Sequence, residues 1–349
     1  MISLVLACAA PLGVLDTTVV AEVVDSATAV EAFVGAIERA QTTVSVALAG
    51  DEPEVRAALE AAADAGVDVD VVVDIDLAGA FSTSGETHGY AVALLDPGFG
   101  FFDFGINLDV AWAGDQVVQS NNWVLVDDAV WWVSSSIGTG LAGDVVLASL
   151  TGEEVLEDAA GEHNQLSGGV DATSVDAYNG LNKSITDLRY RYPTDSGEVL
   201  HFGFGPQERL VKQVVDAVYR SRGRVVLLTA DITDVGLTAA LGEKADAGFE
   251  VNVVTETLSA WTAPVSVAAR QVDGVVPTVL WTDDGDGHSV VMVVSHPIWA
   301  AGRVVGGVPV TTDQLVDGLL WSLESSNGGP NLELLQSFVD ATFARGVTP

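Results

Sequence analysis

Residues 58 to 74 read ALEAAADAGVDVDVVVD, and residues 240 to 256 read ALGEKADAGFEVNVVTE. At an offset of 182 they share Ala58/Ala240, Leu59/Leu241, Ala63/Ala245, Asp64/Asp246, Ala65/Ala247, Gly66/Gly248, Val69/Val251, Val71/Val253 and Val72/Val254, nine identities in seventeen positions. Each copy has the same physical logic. An alanine-rich helix stops at a glycine suited to a left-handed C-terminal cap, and a valine-rich strand begins at once.

The match extends upstream with a one-residue shift: AIERAQTTVSVAL (36 to 48) parallels AVYRSRGRVVLLT (217 to 229). Each half thus opens helix, strand, helix, strand, the pattern of a parallel sheet covered by helices. Two consecutive matching units in the same order indicate a duplication. The halves then diverge on a shared plan. INLDVAW (106 to 112) and WVLVDDAVWWVSSS (123 to 136) predict two strands with a hairpin-like break, and TVLWTDDGDGHSVVMVVSHPIW (278 to 299) predicts strand, Asp/Gly turn, strand. Residues 165 to 200, rich in Gly, Ser, Asn and Asp, read as a linker with a short helix near 175 to 190. The expected organisation is a leader at 1–23, one repeat at 24–164, the linker at 165–200 and a second repeat at 201–343.

Composition narrows the partners. With 349 residues, 48% of them hydrophobic, the chain can bury one large core or two medium ones. Its 14 Lys+Arg against 49 Asp+Glu give a net charge of −35. Such a surface repels phosphate backbones and anionic headgroups, so nucleic acid is a poor partner, and the plain account of the charge is solubility in an acidic or salt-adapted proteome. A single cysteine, Cys8, excludes an intramolecular disulfide and a Cys-based zinc site.

The start, MISLVLACAAPLGVLDTT, is similar to the end of an export signal. It reads either as a lipobox-like Val-Leu-Ala-Cys with a lipid anchor on Cys8, or as an Ala-x-Ala cleavage site at Ala7 to Ala9. No Lys or Arg precedes the apolar run, so a buried first strand in a cytoplasmic, salt-adapted protein is the alternative. No other run approaches the ~18–20 apolar residues of a membrane-spanning helix.

A duplicated unit of helix, strand, helix and A-G-V-x-V-x-V-V, followed by a strand ending in V-D-D and then S-S-x-x, resembles the phospholipase D superfamily. The resemblance runs from about Val24 to about Phe343. It implies an α/β fold of two repeats, each a mixed, mostly parallel sheet flanked by helices, packed with pseudo-twofold symmetry. It also implies H-x-K-x-x-x-x-D in each half, followed by G-S-x-N. One histidine attacks phosphorus, the histidine of the other half protonates the leaving oxygen, and the lysines hold the phosphate oxygens. No cofactor is implied.

Carried over residue by residue, the motif is broken. In the first half Asp127 falls at the aspartate, but Ser120 stands for the histidine and Asn122 for the lysine; Ser134 and Ser135 fall where Gly-Ser belongs, and Ile137 replaces the asparagine. In the second half His288 fits the histidine, while Val290 replaces the lysine and Ser295 the aspartate. Serine without a neighbouring base is a poor nucleophile at phosphorus, and valine cannot neutralise a phosphate. The expectation is a catalytically degenerate, exported binding or scaffold protein with a phosphodiester or lipid headgroup as the ligand class. The alternative is a phosphodiesterase rebuilt around His288, helped by His296 or Asp127. Ser120, Asn122, His288 and Val290 are expected near the seam between the halves.

Three further features carry bland readings. DDGDGH (283 to 288) has alternating oxygen ligands but lacks the glycine and closing glutamate of a calcium loop, so it reads as a solvated turn. YRSRGR (219 to 224) could bind an anion, but reads first as a helix C-terminus with charge complementing the dipole. Trp131 and Trp132, as strand neighbours, point to opposite faces, one of them to the core.

Overall fold

The computed structural model describes residues 17–74, 78–95, 118, 119, 121–134, 143–167, 191–205, 210–232, 234–256, 264, 266–273, 277–295, 304, 305, 308, 309 and 316–348. The first half comprises β1 (Thr18–Asp25), α1 (Ser26–Glu38), β2 (Thr43–Leu48), α2 (Pro53–Asp64), β3 (Asp68–Asp74), α3 (Ala78–His88), β4 (Ala91–Leu95), β5 (Val118–Gln119), β6 (Trp123–Val126), β7 (Ala129–Val133), β8 (Asp144–Thr151) and α4 (Glu153–Leu166). The second comprises β9 (Tyr192–Pro193), β10 (Val199–Phe204), α5 (Leu210–Arg220), β11 (Val225–Thr229), α6 (Val235–Asp246), β12 (Val251–Thr255) and β13 (Ala268–Gln271). It continues with β14 (Thr278–Asp283), β15 (Ser289–Val294), β16 (Val304–Val305), β17 (Val308–Pro309), β18 (Val316–Asp317), β19 (Leu319–Ser325) and α7 (Pro330–Arg345).

The glycines between the repeated helix and strand act as left-handed helix caps. Gly66 and Gly248 both stand at φ 90°, directly after α2 and α6. In each copy the last turn closes identically: Val67 N–H donates to the Ala62 carbonyl, and Phe249 N–H to the Lys244 carbonyl. That six-to-one bond needs a left-handed residue in the middle, which glycine adopts without strain.

The duplication is written in the sheets. The first has the order β1-β8-β7-β6-β2-β3-β4, and the second β13-β12-β11-β14-β15-β19-β10-β9. Reading the second backwards from β10 reproduces the first strand for strand, with β9 added at its edge. Both sheets are mixed, but less parallel than the helix–strand alternation predicts. Only β2, β3 and β4, and likewise β11, β12 and β13, run parallel; every other neighbouring pair is antiparallel. The early helix–strand units build the parallel strands, and the later hairpins add the antiparallel ones.

Alternation along the strands divides the core. Outward residues such as Val44, Val46 and Val71 pack under α1, α2 and α3, and Leu227, Leu280 and Val253 pack under α5 and α6. Inward residues of both sheets meet in one seam with α4 and α7, where Trp132 of β7 stands edge-on to Trp321 of β19 at 5.8 Å. Trp131 faces outward under Arg39, as its neighbour position requires. The seam also satisfies an edge. The Asn331 side chain on α7 accepts from Ala21 N–H and donates to the Val19 carbonyl and to Glu198, so the open side of β1 is hydrogen-bonded across the halves.

Residues 18–23 belong to β1, so the leader expected at 1–23 overlaps the first sheet, because Thr18 to Asp25 pair residue by residue with β8. Tyr192, Pro193, Val199 and Leu200, inside the segment expected as linker, likewise pair within the second sheet. The expected strand at 106 to 112, the short helix near 175 to 190 and Cys8 lie outside the described residues. Among the described residues no helix is long and apolar enough to cross a membrane.

Candidate functional site

Equivalent positions in the two halves follow from the ladders. Val44 pairs with Val69 and Val126, and Val225 pairs with Val251 and Thr282. Val126 is therefore the counterpart of Thr282, Asp127 of Asp283, and Asn122 of Thr278. Two hydrogen-bond patterns agree. The Asp127 carboxylate accepts from the backbone N–H groups of Gln41, Thr42 and Thr43, and Asp283 accepts from Arg224 N–H at the matching turn before β11. Ser134 Oγ accepts from Val146 N–H at 2.9 Å, and Ser295 Oγ accepts from Leu319 N–H at 2.9 Å. Each hydroxyl extends an antiparallel ladder one step past the last strand residue.

This register corrects the second-half reading of the motif. Counting back from Asp283 puts the lysine position at Thr278 and the histidine position at Val276, which lies outside the described residues. His288 is in the turn before β15, Val290 is on β15, and Ser295 is the counterpart of Ser134, not of an aspartate. A single histidine in a polar turn drew the alignment one strand too far; the aspartate spacing would have found β14.

The two side chains that the motif spacing would put at the lysine positions, Asn122 and Thr278, are buried and uncharged. Asn122 is fully buried and its Oδ1 accepts from Ala49 N–H, the first residue past β2. Thr278 is 1% exposed, with its hydroxyl 3.4 Å from that of Thr229. Beside Asn122, Trp123 faces the seam edge-on to His163 of α4 at 5.3 Å, and His163 Nε2 lies 3.0 Å from Asp70. Ser120, Ser135, Ile137 and His296 lie outside the described residues.

Asp127 does architectural work at the far end of β6. It occupies φ 38° in the hairpin turn, and its carboxylate also accepts from Thr42 Oγ1. The Thr42 hydroxyl, outweighing slight desolvation, and the three backbone donors lower its pKa to about 2. The structure does not bring it to His288. That residue faces away from the seam, with Val290, on the outer face of the second sheet. There His288 Nε2 lies 3.9 Å from Glu324, while His201 Nε2 on β10 lies 3.6 Å from the other Glu324 oxygen. These groups line a cavity of about 560 Å³ between α5 and strands β10, β15 and β19. Burial, then the charges of Arg191 and Arg220, depress the His201 pKa to about 4. No group of three or more His, Cys, Asp or Glu among the described residues is placed to hold a metal ion. The DDGDGH segment is a turn whose Asp284 accepts from Asp286 and His288 N–H.

No protein-family model matches the sequence, and no curated protein is similar to it in sequence. Solved structures are similar in fold. Phosphatidylserine synthase from Haemophilus influenzae Rd KW20 superposes with a TM-score of 0.60 at 12% identity, covering 95% of this chain and 88% of that one. Polyphosphate kinase from Porphyromonas gingivalis superposes with a TM-score of 0.59 at 11% identity over 93% of this chain, which spans 50% of that enzyme. Both belong to the phospholipase D superfamily. Two sheets of one strand order, packed across a tryptophan-lined seam, thus give this chain the duplicated α/β fold of the phospholipase D superfamily.

Proposed function

We propose that the chain is a phospholipase D-like binding protein that does not hydrolyse phosphodiesters. One observation supports this reading: Asn122 and Thr278, which share a register position and fall at the expected motif-lysine spacing, are buried and uncharged. A phosphoryl group entering between the halves would lose its hydration and gain no cation, and electrostatic stabilisation is the main contribution such a site makes. With Ser120 at one histidine position and Val276 at the other, neither motif position carries the histidine that would serve as nucleophile or general acid.

Export with a lipid anchor on Cys8 belongs to the same reading and rests on the apolar, small-residue segment that precedes β1. Membrane fractionation of the protein expressed in its own host tests it, since Cys8→Ser should release the protein from the membrane fraction.

A second reading keeps activity at a rebuilt site. It is favoured by the convergence of His201 and His288 on Glu324 beside a cavity. A panel of phosphodiesters, incubated with wild type and His288→Ala, separates the two. The binding reading expects no product release from either protein; release that disappears in His288→Ala would replace it with the rebuilt enzyme.

A further inference from the structure

The duplication supplies an internal comparison for the outer cavity. Arg220 at the end of α5 corresponds to Arg39 after α1, and Met292 on β15 corresponds to Trp131 on β7. In the first half Arg39 lies over the Trp131 ring, 5.9 Å from its centroid, and the indole fills the angle between helix and sheet. In the second half the indole is replaced by a thinner, flexible methionine. The volume that Trp131 occupies is open, and Arg220 has lost its ring.

The same exchange brings polar groups to this face. His201, Ser322 and Glu324 stand where the first half has Val20, Ser149 and Thr151. The longer hairpin turn adds His288 and Asp284, and the loop after α5 adds Arg222. Val290 and Met292 give the cavity an apolar side.

The arginines are the telling feature. With 49 acidic residues for 14 basic ones, carboxylates are abundant partners for arginine. Arg56, Arg191, Arg224 and Arg345 each pair with one, while Arg39 and Arg270 lie over the Trp131 and Phe343 rings. Arg220 and Arg222 form no ion pair among the described residues, although three carboxylates line the same cavity. Those carboxylates are engaged elsewhere. Asp283 accepts from Arg224 and Gly285 N–H, Asp284 from Asp286 and His288 N–H, and Glu324 pairs with Arg191. Arg220 also donates from Nε to the Asp216 carbonyl, which complements the helix dipole but leaves the other guanidinium nitrogens uncommitted.

We propose that this cavity is a binding site for a small tetrahedral oxyanion of the phosphate-ester class, held by Arg220, Arg222 and His288, with its organic part against Val290 and Met292. Donors from a helix end, a loop and a hairpin turn approach from three directions. That arrangement matches the three terminal oxygens of a tetrahedral head better than the two of a planar carboxylate. A polar tail can reach Glu324. The inference concerns the outer face and does not depend on whether the seam is catalytic.

Calorimetric titration of the full chain at pH 7 and 0.15 M salt tests it, because salt screens the distant carboxylates while leaving contacts in the cavity. The probes are inorganic phosphate, glycerol 3-phosphate and succinate. Saturable binding of glycerol 3-phosphate, tighter than that of phosphate and with succinate silent, is expected. The double variant Arg220→Ala/Arg222→Ala, both exposed positions, should keep the wild-type melting temperature and bind at least about tenfold more weakly. Met292→Trp, which restores the first-half residue, should abolish binding. Absence of saturable heat with either phosphate probe, equal binding of succinate, or binding that survives the double arginine variant would overturn the proposal.

Discussion

Asp127→Asn separates architecture from chemistry at one of the two positions, Asp127 and Asp283, where an aspartate stands at the end of the motif spacing. The carboxylate accepts four hydrogen bonds, from Gln41, Thr42 and Thr43 N–H and from the Thr42 hydroxyl. Asparagine has nearly the same shape and tolerates the φ of 38°, so the substitution removes charge and one acceptor without straining the turn. The native pKa of about 2, against 3.8 unperturbed, corresponds to about 2.4 kcal/mol before screening. The group is solvent-exposed, so the expected loss at pH 7 is about 1 kcal/mol. A depressed carboxylate pKa contributes stability that is complete above pH 3.8 and fades as pH falls through 2. The gap between wild type and variant in urea midpoint should therefore hold from pH 7 to about pH 4.5 and close below that. A variant as stable as wild type at pH 7, or a gap that widens with acid, would refute the anchoring role.

Three other outcomes follow from the packing and the register. Asn331→Ala removes three buried hydrogen bonds that join α7 to β1 and Glu198, and should cost about 2–4 kcal/mol in chemical denaturation. His201 has a native pKa of about 4 against 6.5, so the unfolded chain takes up its proton first and stability falls as pH drops from 6.5 to 4. With its side chain 28% exposed, the screened effect is about 2 kcal/mol, seen as a pH slope of the melting temperature that His201→Gln flattens. Asn122→Lys and Thr278→Lys each put an ammonium into a closed, neutral position and should each destabilise by about 3 kcal/mol or more, measured by thermal melting.

The fold was legible because its signals are local. Gly66 and Gly248 each end a helix and start a strand within one heptad of residues, so periodicity and cap chemistry suffice to find the repeat. The later strands were harder. WVLVDDAVWWV and TVLWTDDGDGHSVVMVV are both strand–turn–strand, but the second turn is longer, and its length shifts any alignment made through it. Asp283 was the safer anchor than His288, because its role is to accept backbone N–H groups at a turn that both halves share. The sheet's antiparallel share was under-read for a related reason: the helix–strand units at the start of each half dominate the pattern, while the hairpins that follow carry most of the strand pairs. The outer cavity left no motif at all. It depends on Met292 facing Arg220 across helix and sheet, a pairing visible only once β7 and β15 are known to be counterparts.

The central claim is that neutral, buried side chains at both lysine positions leave no phosphodiester chemistry in the seam. Single-turnover incubation of excess wild-type protein with a labelled phosphodiester, followed by quench and quantification of released alcohol and of phosphoryl-protein adduct, tests it most directly. The expected result is release at the uncatalysed background rate and an unmodified protein. Release above background that is accompanied by a phosphoryl adduct on any histidine would contradict the account.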